Sequence, residues 1–261
     1  MKKILFITSL ISIIFSSCDK PTQTDLTINF TQTVDGNRLI TGSGCSDGGE
    51  CFHDHSCCNL GKTLGYTNDA GEHYNIQTLK YLISDITLHS DDGNTLLLDE
   101  VHFIDISDAS TFSFTVKDVP NNNYTSISYT MGLDTIKNIS NAYVNENWFG
   151  QMEWPDMNGG GYHYMKLEGD FNDSLSGYGT HTGGTMGGDY SFNNVDDISL
   201  TVDDDLGNVS ININMEINNW YQTPNQIAFS SYGMGIMMNM MMQMNIQMNG
   251  ITDVFSVTVD K

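Results

Sequence analysis

The chain has 261 residues, with 32 acidic and 10 basic side chains and a formal net charge of −22. Such a surface repels nucleic acid and anionic lipid headgroups, and it attracts cations. The charge therefore argues against a nucleic-acid partner. It does not identify a metal, because acidic surfaces also keep proteins soluble in salty surroundings.

The N-terminus predicts an export signal of the bacterial lipoprotein type. Lys2–Lys3 form a charged start, and Ile4–Phe15 form an apolar stretch that is too short to span a bilayer as a mature helix. Small residues then precede Cys18, as in a lipobox. We expect a signal peptide over residues 1–17, a lipidated tether over residues 18–25, and attachment to a bacterial membrane in the periplasm or at the cell surface. The alternative is ordinary secretion with cleavage nearby.

Residues 26–261 predict one all-β domain, a single antiparallel β-sandwich with short helical pieces. Apolar and polar residues alternate in short segments that Gly, Asn and Asp separate. The predicted strands are Leu26–Val34, Leu79–His89, Thr95–Asp99, Val101–Ile106, Phe112–Val116, Tyr124–Met131, Tyr162–Phe171, Ile198–Val202, Val209–Ile217 and Val254–Val259. The predicted helices are Asp134–Ser140 and Gly235–Met248.

A Cys- and His-rich insertion over residues 42–61 interrupts this pattern. Its notable residues are Cys45, Cys51, Cys57, Cys58, His53 and His55. Outside the cytoplasm, four cysteines usually form two disulfides. Adjacent cysteines rarely bond to each other, so we expect each of the last two to pair with one of the first two. The alternative is a metal site in which thiolates and the two histidines bind Cu(I) or zinc.

The segment Gly233–Met248 is unusually rich in methionine. Thioethers favour Cu(I), which makes a copper-binding run one interpretation. However, Asn239, Gln243 and Gln247 recur every fourth residue on one side of a helix, and methionine packs well in irregular cores. We therefore predict a helix that packs its methionines into the core.

Three histidines are candidate metal ligands. His163 lies within Gly159–Gly169 and His181 within Thr180–Gly184, so two imidazoles occur in neighbouring segments. His102 shares one face of a predicted strand with Ile104 and Ile106 and is expected to point inward or into a pocket. Each histidine alone is more often structural. Three on the strands of one sandwich favour a shared metal, because imidazole is the commonest protein ligand for metals such as copper and zinc.

Several sequence blocks, in order, resemble the MbnP-like copper-binding protein family. They are Thr78–Leu88, His102–Asp105, Val119–Pro120 followed by Tyr124, Met131–Asp134, Asn138–Ser140, Trp154–Gly169, His181–Gly184, Asn249–Gly250 and Asp253–Phe255. The resemblance implies an extracytoplasmic β-sandwich that binds one copper through histidines. It also implies a di-haem cytochrome c peroxidase-like partner, which in some members oxidises a tryptophan near the metal to kynurenine.

The resemblance carries over to particular residues. His102 and His181 match histidine positions of the family, whereas Gln32 stands where a third family histidine is expected on the first strand. An amide oxygen is a poor replacement for imidazole at a soft copper site. His163 is the nearest candidate to complete the site, and the two histidines of the insertion are further candidates.

Kynurenine formation is not expected from the sequence. The tryptophan position beside His102 is not occupied by tryptophan, and Trp148 and Trp154 are expected to pack in a glycine-rich loop.

These features predict an extracytoplasmic copper-binding lipoprotein for metal acquisition or handling. The alternative is a structural or adhesive surface lipoprotein whose histidines only complete hydrogen bonds in the core. A catalytic role is not expected: the chain has no nucleophile elbow, phosphate loop or dinucleotide fingerprint, and its His, Asp and Glu spacing suggests no acid–base pair.

Overall fold

The computed structural model describes residues 24–39, 65–172, 176–203, 209–233 and 235–260. They form a mostly β structure with two sheets. The strands are β1 (Thr24–Val34), β2 (Asn37–Arg38), β3 (Tyr66–Thr67), β4 (His73–Tyr74), β5 (Thr78–Ser90), β6 (Thr95–Asp105), β7 (Ser113–Val119), β8 (Asn122–Met131), β9 (His163–Phe171), β10 (Ser176–Gly183), β11 (Phe192–Val202), β12 (Val209–Glu216) and β13 (Phe255–Asp260). The α-helices are α1 (Phe149–Met152) and α2 (Met240–Asn249).

The first sheet has β1 near its centre. β12 lies on one side of β1 and pairs in turn with β13, while β7 and β2 share the other side. The pair β1–β12 is parallel, from Leu26 opposite Val209 to Thr33 opposite Glu216. The prediction of a wholly antiparallel sandwich was therefore wrong for this pair. A parallel pair needs a long crossover rather than a hairpin, and most of the chain lies between these two strands.

The second sheet is organised around β5. β6 pairs along one side of β5, whereas β9 and then β8 share the other side. β11 pairs with β8, and β10 pairs with β9. β5 can occupy the centre because it is buried on both faces: Tyr81 and Ile83 face the main core, and Leu82 faces a second apolar cluster.

The main core lies between the two sheets. Alternate residues of β1 are buried there, among them Leu26, Ile28 and Phe30, as the period of a half-buried strand requires. Gln32 continues this buried row and donates a hydrogen bond of 2.8 Å to the hydroxyl of Tyr81 in the second sheet. A polar side chain on this row is therefore satisfied by the opposite sheet.

The outer face of the second sheet is covered by the segment between β8 and β9. Buried residues of this segment pack with Leu82 of β5 and Tyr164 of β9. Together they form a separate cluster, the outer cluster, of Leu82, Leu133, Trp148, Met152, Tyr162 and Tyr164. This segment begins with turns, and the helix predicted at Asp134–Ser140 was wrong. The carboxylate of Asp134 accepts hydrogen bonds from the backbone N–H groups of Ile136 and Lys137, which stabilises a turn in place of a helix.

Most other predicted strands are confirmed, with changed ends. Thr95–Asp99 and Val101–Ile106 form one strand, β6, and Ile198–Val202 is the end of the longer β11. No sequence pattern indicated β10, in which glycines and threonines replace the usual apolar row. Among the described residues, no helix is long and apolar enough to cross a membrane.

The predicted helix at Gly235–Met248 is confirmed as the shorter α2, but the predicted orientation was wrong. Gln243, Ile246 and Asn249 form the buried side. The exposed side carries Met240, Met241, Met244 and Met248. These four methionines therefore face solvent, whereas Met242 packs against the main core. The amides of Gln243 and Asn249 face the protein.

Several predictions fall outside the described residues. They concern the signal peptide, Cys18, and the insertion with Cys45, Cys51, Cys57, Cys58, His53 and His55.

Gly169 tests the packing between β9 and the segment that enters β5. A Cβ atom at this position would lie 2.1 Å from the backbone oxygen of Asn75, so alanine cannot fit without a backbone shift. We predict that Gly169→Ala lowers the free energy of unfolding by about 1–3 kcal/mol in urea denaturation, the usual cost of overpacking. Gly150→Ala is the matched control, because nothing lies within 4 Å of its added Cβ. Equal stability of the two variants would contradict the packing.

Candidate metal centre

The hairpin of β9 and β10 brings His163 and His181 together. Thr182 pairs with Met165, but Gly183 pairs with His163, so the register slips by one residue between these two pairs. Such a bulge interrupts the strict alternation of side chains and can redirect one of them. The rings of His163 and His181 meet edge to face, with centroids 5.2 Å apart and planes at 77°.

His163 has a buried nitrogen without a partner. The residue is 6% exposed, and its Nδ1 lies 3.3 Å from the carbonyl oxygen of Met152. A carbonyl can only accept, so Nδ1 carries the hydrogen. Nε2 then carries the lone pair, and no hydrogen-bond partner reaches it. A buried acceptor without a partner is unfavourable in a folded protein unless a ligand or ion engages it.

Electrostatics keep the His163 ring neutral. Burial first, and then the neighbouring His181 and Lys166, together lower its pKa to about 3. A neutral imidazole is the form that binds a metal. His163 is therefore ready to donate its lone pair throughout the physiological pH range.

Glu168 orients the second imidazole. Nε2 of His181 lies 2.6 Å from a carboxylate oxygen of Glu168, which is on the opposite strand of the hairpin. Burial lowers the pKa of His181 and outweighs the opposing effect of Glu168, so the ring is neutral and donates its Nε2 hydrogen. The lone pair then lies on Nδ1. A carboxylate that fixes the tautomer of a metal-ligating histidine is a common arrangement in metal sites.

Trp154 forms one wall of the pair. Its ring packs edge to face against His163 with centroids 4.7 Å apart. It also covers Gly183, where an added Cβ would lie 2.7 Å from the indole. Glycine at this position therefore allows the tryptophan to close over the histidine.

Helix α2 closes the open edge of β10 beside the pair. The side-chain amide of Gln243 donates to the backbone oxygen of His181 at 2.8 Å and accepts from the N–H of Gly183 at 3.4 Å. An unpaired strand edge is otherwise reactive toward other strands. The Gln243 amide instead pairs this edge and holds the backbone on both sides of Thr182.

His102 lies elsewhere in the fold. It is on β6, and β5 and β9 separate it from His181 on β10, so three strand spacings place the two about 14 Å apart across the sheet. Its ring stacks against Phe30 at 4.8 Å and packs against Phe114 at 4.9 Å, between the sheets.

Both ring nitrogens of His102 face acceptors. Nδ1 lies 3.1 Å from a carboxylate oxygen of Asp99, and Nε2 lies 2.9 Å from the backbone oxygen of Thr111. The structure thus brings together His163 and His181, and it surrounds His102 with other partners.

Gln32 and Trp148, two other positions discussed from the sequence, make hydrogen-bonding or packing contacts away from the histidine pair. Gln32, at the position of the third family histidine, donates to Tyr81. Trp148 is buried in the outer cluster, as expected for a packing residue. Sequence reasoning did not identify Glu168 and Gln243 as parts of the centre. Of these two residues, only Glu168 could have been suspected from the sequence, because it lies between the two histidines in the chain.

The pair offers two neutral imidazoles. His163 carries its hydrogen on Nδ1 and its lone pair on Nε2, whereas His181 carries its hydrogen on Nε2 and its lone pair on Nδ1. The pair suits a metal that accepts few nitrogen ligands. The described residues contain no group of three or more His, Cys, Asp and Glu side chains that could hold an ion.

The comparisons with known proteins agree on one family and fold. A family model described as MbnP matches residues 23–241. The solved structure of MbnP from Methylosinus trichosporium is similar, with a TM-score of 0.58 and 12% sequence identity, and the alignment covers 92% of this chain and 99% of that chain. At this identity the similarity shows the fold alone. No curated protein sequence matches the chain.

The neutral state of His163 predicts a pH dependence of stability. The unfolded chain protonates this histidine below about pH 6.5, but the folded protein does so only near pH 3. The unfolded state therefore binds more protons in this window, and the free energy of unfolding falls as the pH falls. From pH 7.5 to pH 5.0 we expect a loss of about 2 kcal/mol that His163→Gln does not show, measured by urea denaturation. An equal loss in both proteins would contradict the buried neutral ring.

Proposed function

The chain belongs to the MbnP family, and on this premise we propose that it binds one copper ion through His163 and His181 for metal acquisition or handling. The observation that carries the proposal is the buried Nε2 of His163, which has no hydrogen-bond partner and lies on a ring next to a second neutral imidazole. A bound ion would satisfy this nitrogen.

The choice of copper rests on the ligands and on the family. Imidazole suits copper, zinc, iron and nickel, so the two rings alone do not distinguish these metals. The family resemblance, with its copper bound through histidines, favours copper among them.

This proposal keeps one of the histidines that matched the family and replaces the other. His181 is retained, with Glu168 as the residue that orients it. His163 takes the role first expected for His102, whose ring nitrogens already face Asp99 and Thr111. A substitution at His102 therefore distinguishes the two assignments.

We also propose that the protein acts outside the cytoplasm, on a lipid anchor at Cys18. The sequence of the N-terminus supports this location, because a charged start, an apolar stretch and small residues precede that cysteine. The net charge of −22 supports a role in collecting cations, which an acidic surface concentrates.

We propose a di-haem cytochrome c peroxidase-like protein as the partner, from the family resemblance. In some members this partner oxidises a tryptophan near the metal. In this chain Trp154 is the tryptophan in contact with the histidine pair, since its ring packs against His163. This contact is the reason to propose oxidation of Trp154, which was not expected from the sequence. Trp154 differs from Trp148, which packs in the outer cluster.

Copper titration tests the site. We expect the wild-type protein to bind one equivalent of copper at the pair, and His163→Gln and His181→Gln each to weaken this binding at least about a hundredfold, because loss of one of two ligands leaves a single imidazole. The measurement is Cu(I) titration against a competing chromophoric chelator, without oxygen.

Two further variants serve as controls. His89→Gln changes a strand histidine that is hydrogen-bonded to Ser128, outside the centre, and is expected to bind like the wild type. His102→Gln is also expected to retain the site. Normal binding in the His163 and His181 variants, or loss of binding only in His102→Gln, would refute the assignment.

Mass spectrometry tests the proposed partner. The mature protein is produced with and without a co-expressed di-haem peroxidase of this kind and is digested into peptides. Oxidation to kynurenine is expected only with the partner and only on the peptide with Trp154, and Trp154→Phe should abolish it. Oxidation confined to another tryptophan would contradict the proposed contact.

A further inference from the structure

Helix α2 presents a surface of methionine side chains to solvent. Met240, Met241, Met244 and Met248 are 51%, 70%, 46% and 43% exposed, and we call these four residues the thioether face. Burial of apolar side chains normally drives the orientation of a helix on a protein surface. Here four methionines face solvent although Gln243 and Asn249 of the same helix are fully buried, and this orientation requires an explanation.

Hydrogen bonds on the buried side hold the helix in this orientation. Gln243, which is fully buried, donates to the backbone oxygens of His181 at 2.8 Å and Ile236 at 3.2 Å. Asn249, also fully buried, donates to the backbone oxygens of Trp220 at 2.9 Å and Asn225 at 2.7 Å. Rotation of the helix to bury its methionines would leave these groups without partners, which is costly. The outward direction of the thioethers is therefore built into the fold.

The spacing of the four methionines makes them successive neighbours on one side of the helix. Met240, Met244 and Met248 follow at intervals of four residues, and Met241 lies three residues before Met244. Residues three and four apart on a helix have Cβ atoms about 5–6 Å apart on the same face. Methionine has three rotatable bonds beyond its backbone, so neighbouring side chains can converge on one ion.

The chemistry of the face is selective. Thioether sulfur is a soft ligand that selects Cu(I), whereas hard cations such as Ca²⁺ and Mg²⁺ prefer oxygen ligands. Helix α2 carries no basic side chain that would repel a cation, and the whole chain has a net charge of −22. A monovalent soft cation therefore meets a favourable electric field and suitable ligands at this face.

We propose that the thioether face is a second, solvent-exposed Cu(I) site, separate from the buried histidine pair. It does not require copper at the histidines, so it goes beyond the function proposed above. The two sites share a support, because Gln243 of the same helix binds the backbone of His181. Copper captured at the surface is thus held on the helix that closes the edge of the buried centre.

Cu(I) titration of the full chain, without oxygen and against a chromophoric chelator, tests the proposal. The test variant replaces all four methionines by leucine (Met240→Leu, Met241→Leu, Met244→Leu and Met248→Leu), which removes sulfur and keeps helix propensity and volume. We expect this variant to lose one class of Cu(I) sites, with affinity reduced about tenfold or more, and to keep the histidine site. Its Cu(II) binding should be unchanged.

Two comparisons make the result specific. The control variant Met157→Leu/Met186→Leu removes two exposed methionines outside the helix, and it should retain both classes of sites. The variant His163→Gln/His181→Gln should retain the surface class, which separates failure of this proposal from failure of the histidine site. If that variant does not fold, the four-leucine variant in the wild-type background decides alone, because it must lose one class of sites.

Three results would overturn the proposal. The first is unchanged Cu(I) binding by the four-leucine variant, which would leave the face as an apolar surface for a protein partner. The second is an equal loss in the control variant, which would show unspecific binding to any exposed thioether. The third is loss of the surface class in the histidine variant, which would show that the two sites are one.

Discussion

The structure depends at its candidate centre on one buried nitrogen atom. Nε2 of His163 has no hydrogen-bond partner, and burial keeps its ring neutral. A folded protein rarely leaves a buried acceptor unsatisfied, because the lost hydrogen bond to water is not replaced. The surrounding residues preserve this state: Met152 accepts from the other nitrogen, and Trp154 covers the ring. A ligand-binding nitrogen is thus prepared before any ion arrives.

The same region shows how the β framework and the helix work together. The register slip between β9 and β10 brings His163 beside His181, and Glu168 on the opposite strand selects the tautomer of His181. Gln243 then pairs the free edge of β10. The buried centre and the exposed methionines therefore belong to one connected unit, since a single helix supports the first and displays the second.

The sequence predicted the parts of this structure that depend on local pattern. Alternating apolar residues identified β1 and β9, and the ordered motifs indicated the family. The sequence could not predict which histidines meet, because that depends on strand order and on a one-residue slip in register. For α2, the sequence pattern correctly predicted a helix that contains Gln243. It did not predict that Gln243 is buried, because the partner of this side chain is the edge of β10, a strand that the sequence did not indicate.

The most direct test of the central claim is nitrogen NMR of the protein labelled with ¹⁵N in its histidines, recorded before and after addition of one equivalent of Cu(I). The account predicts that His163 of the metal-free protein is a neutral ring protonated at Nδ1, and that its Nε2 resonance, together with Nδ1 of His181, shifts when copper binds. A metal-free His163 protonated at Nε2 would contradict the account. So would bound copper that leaves both of these resonances unchanged.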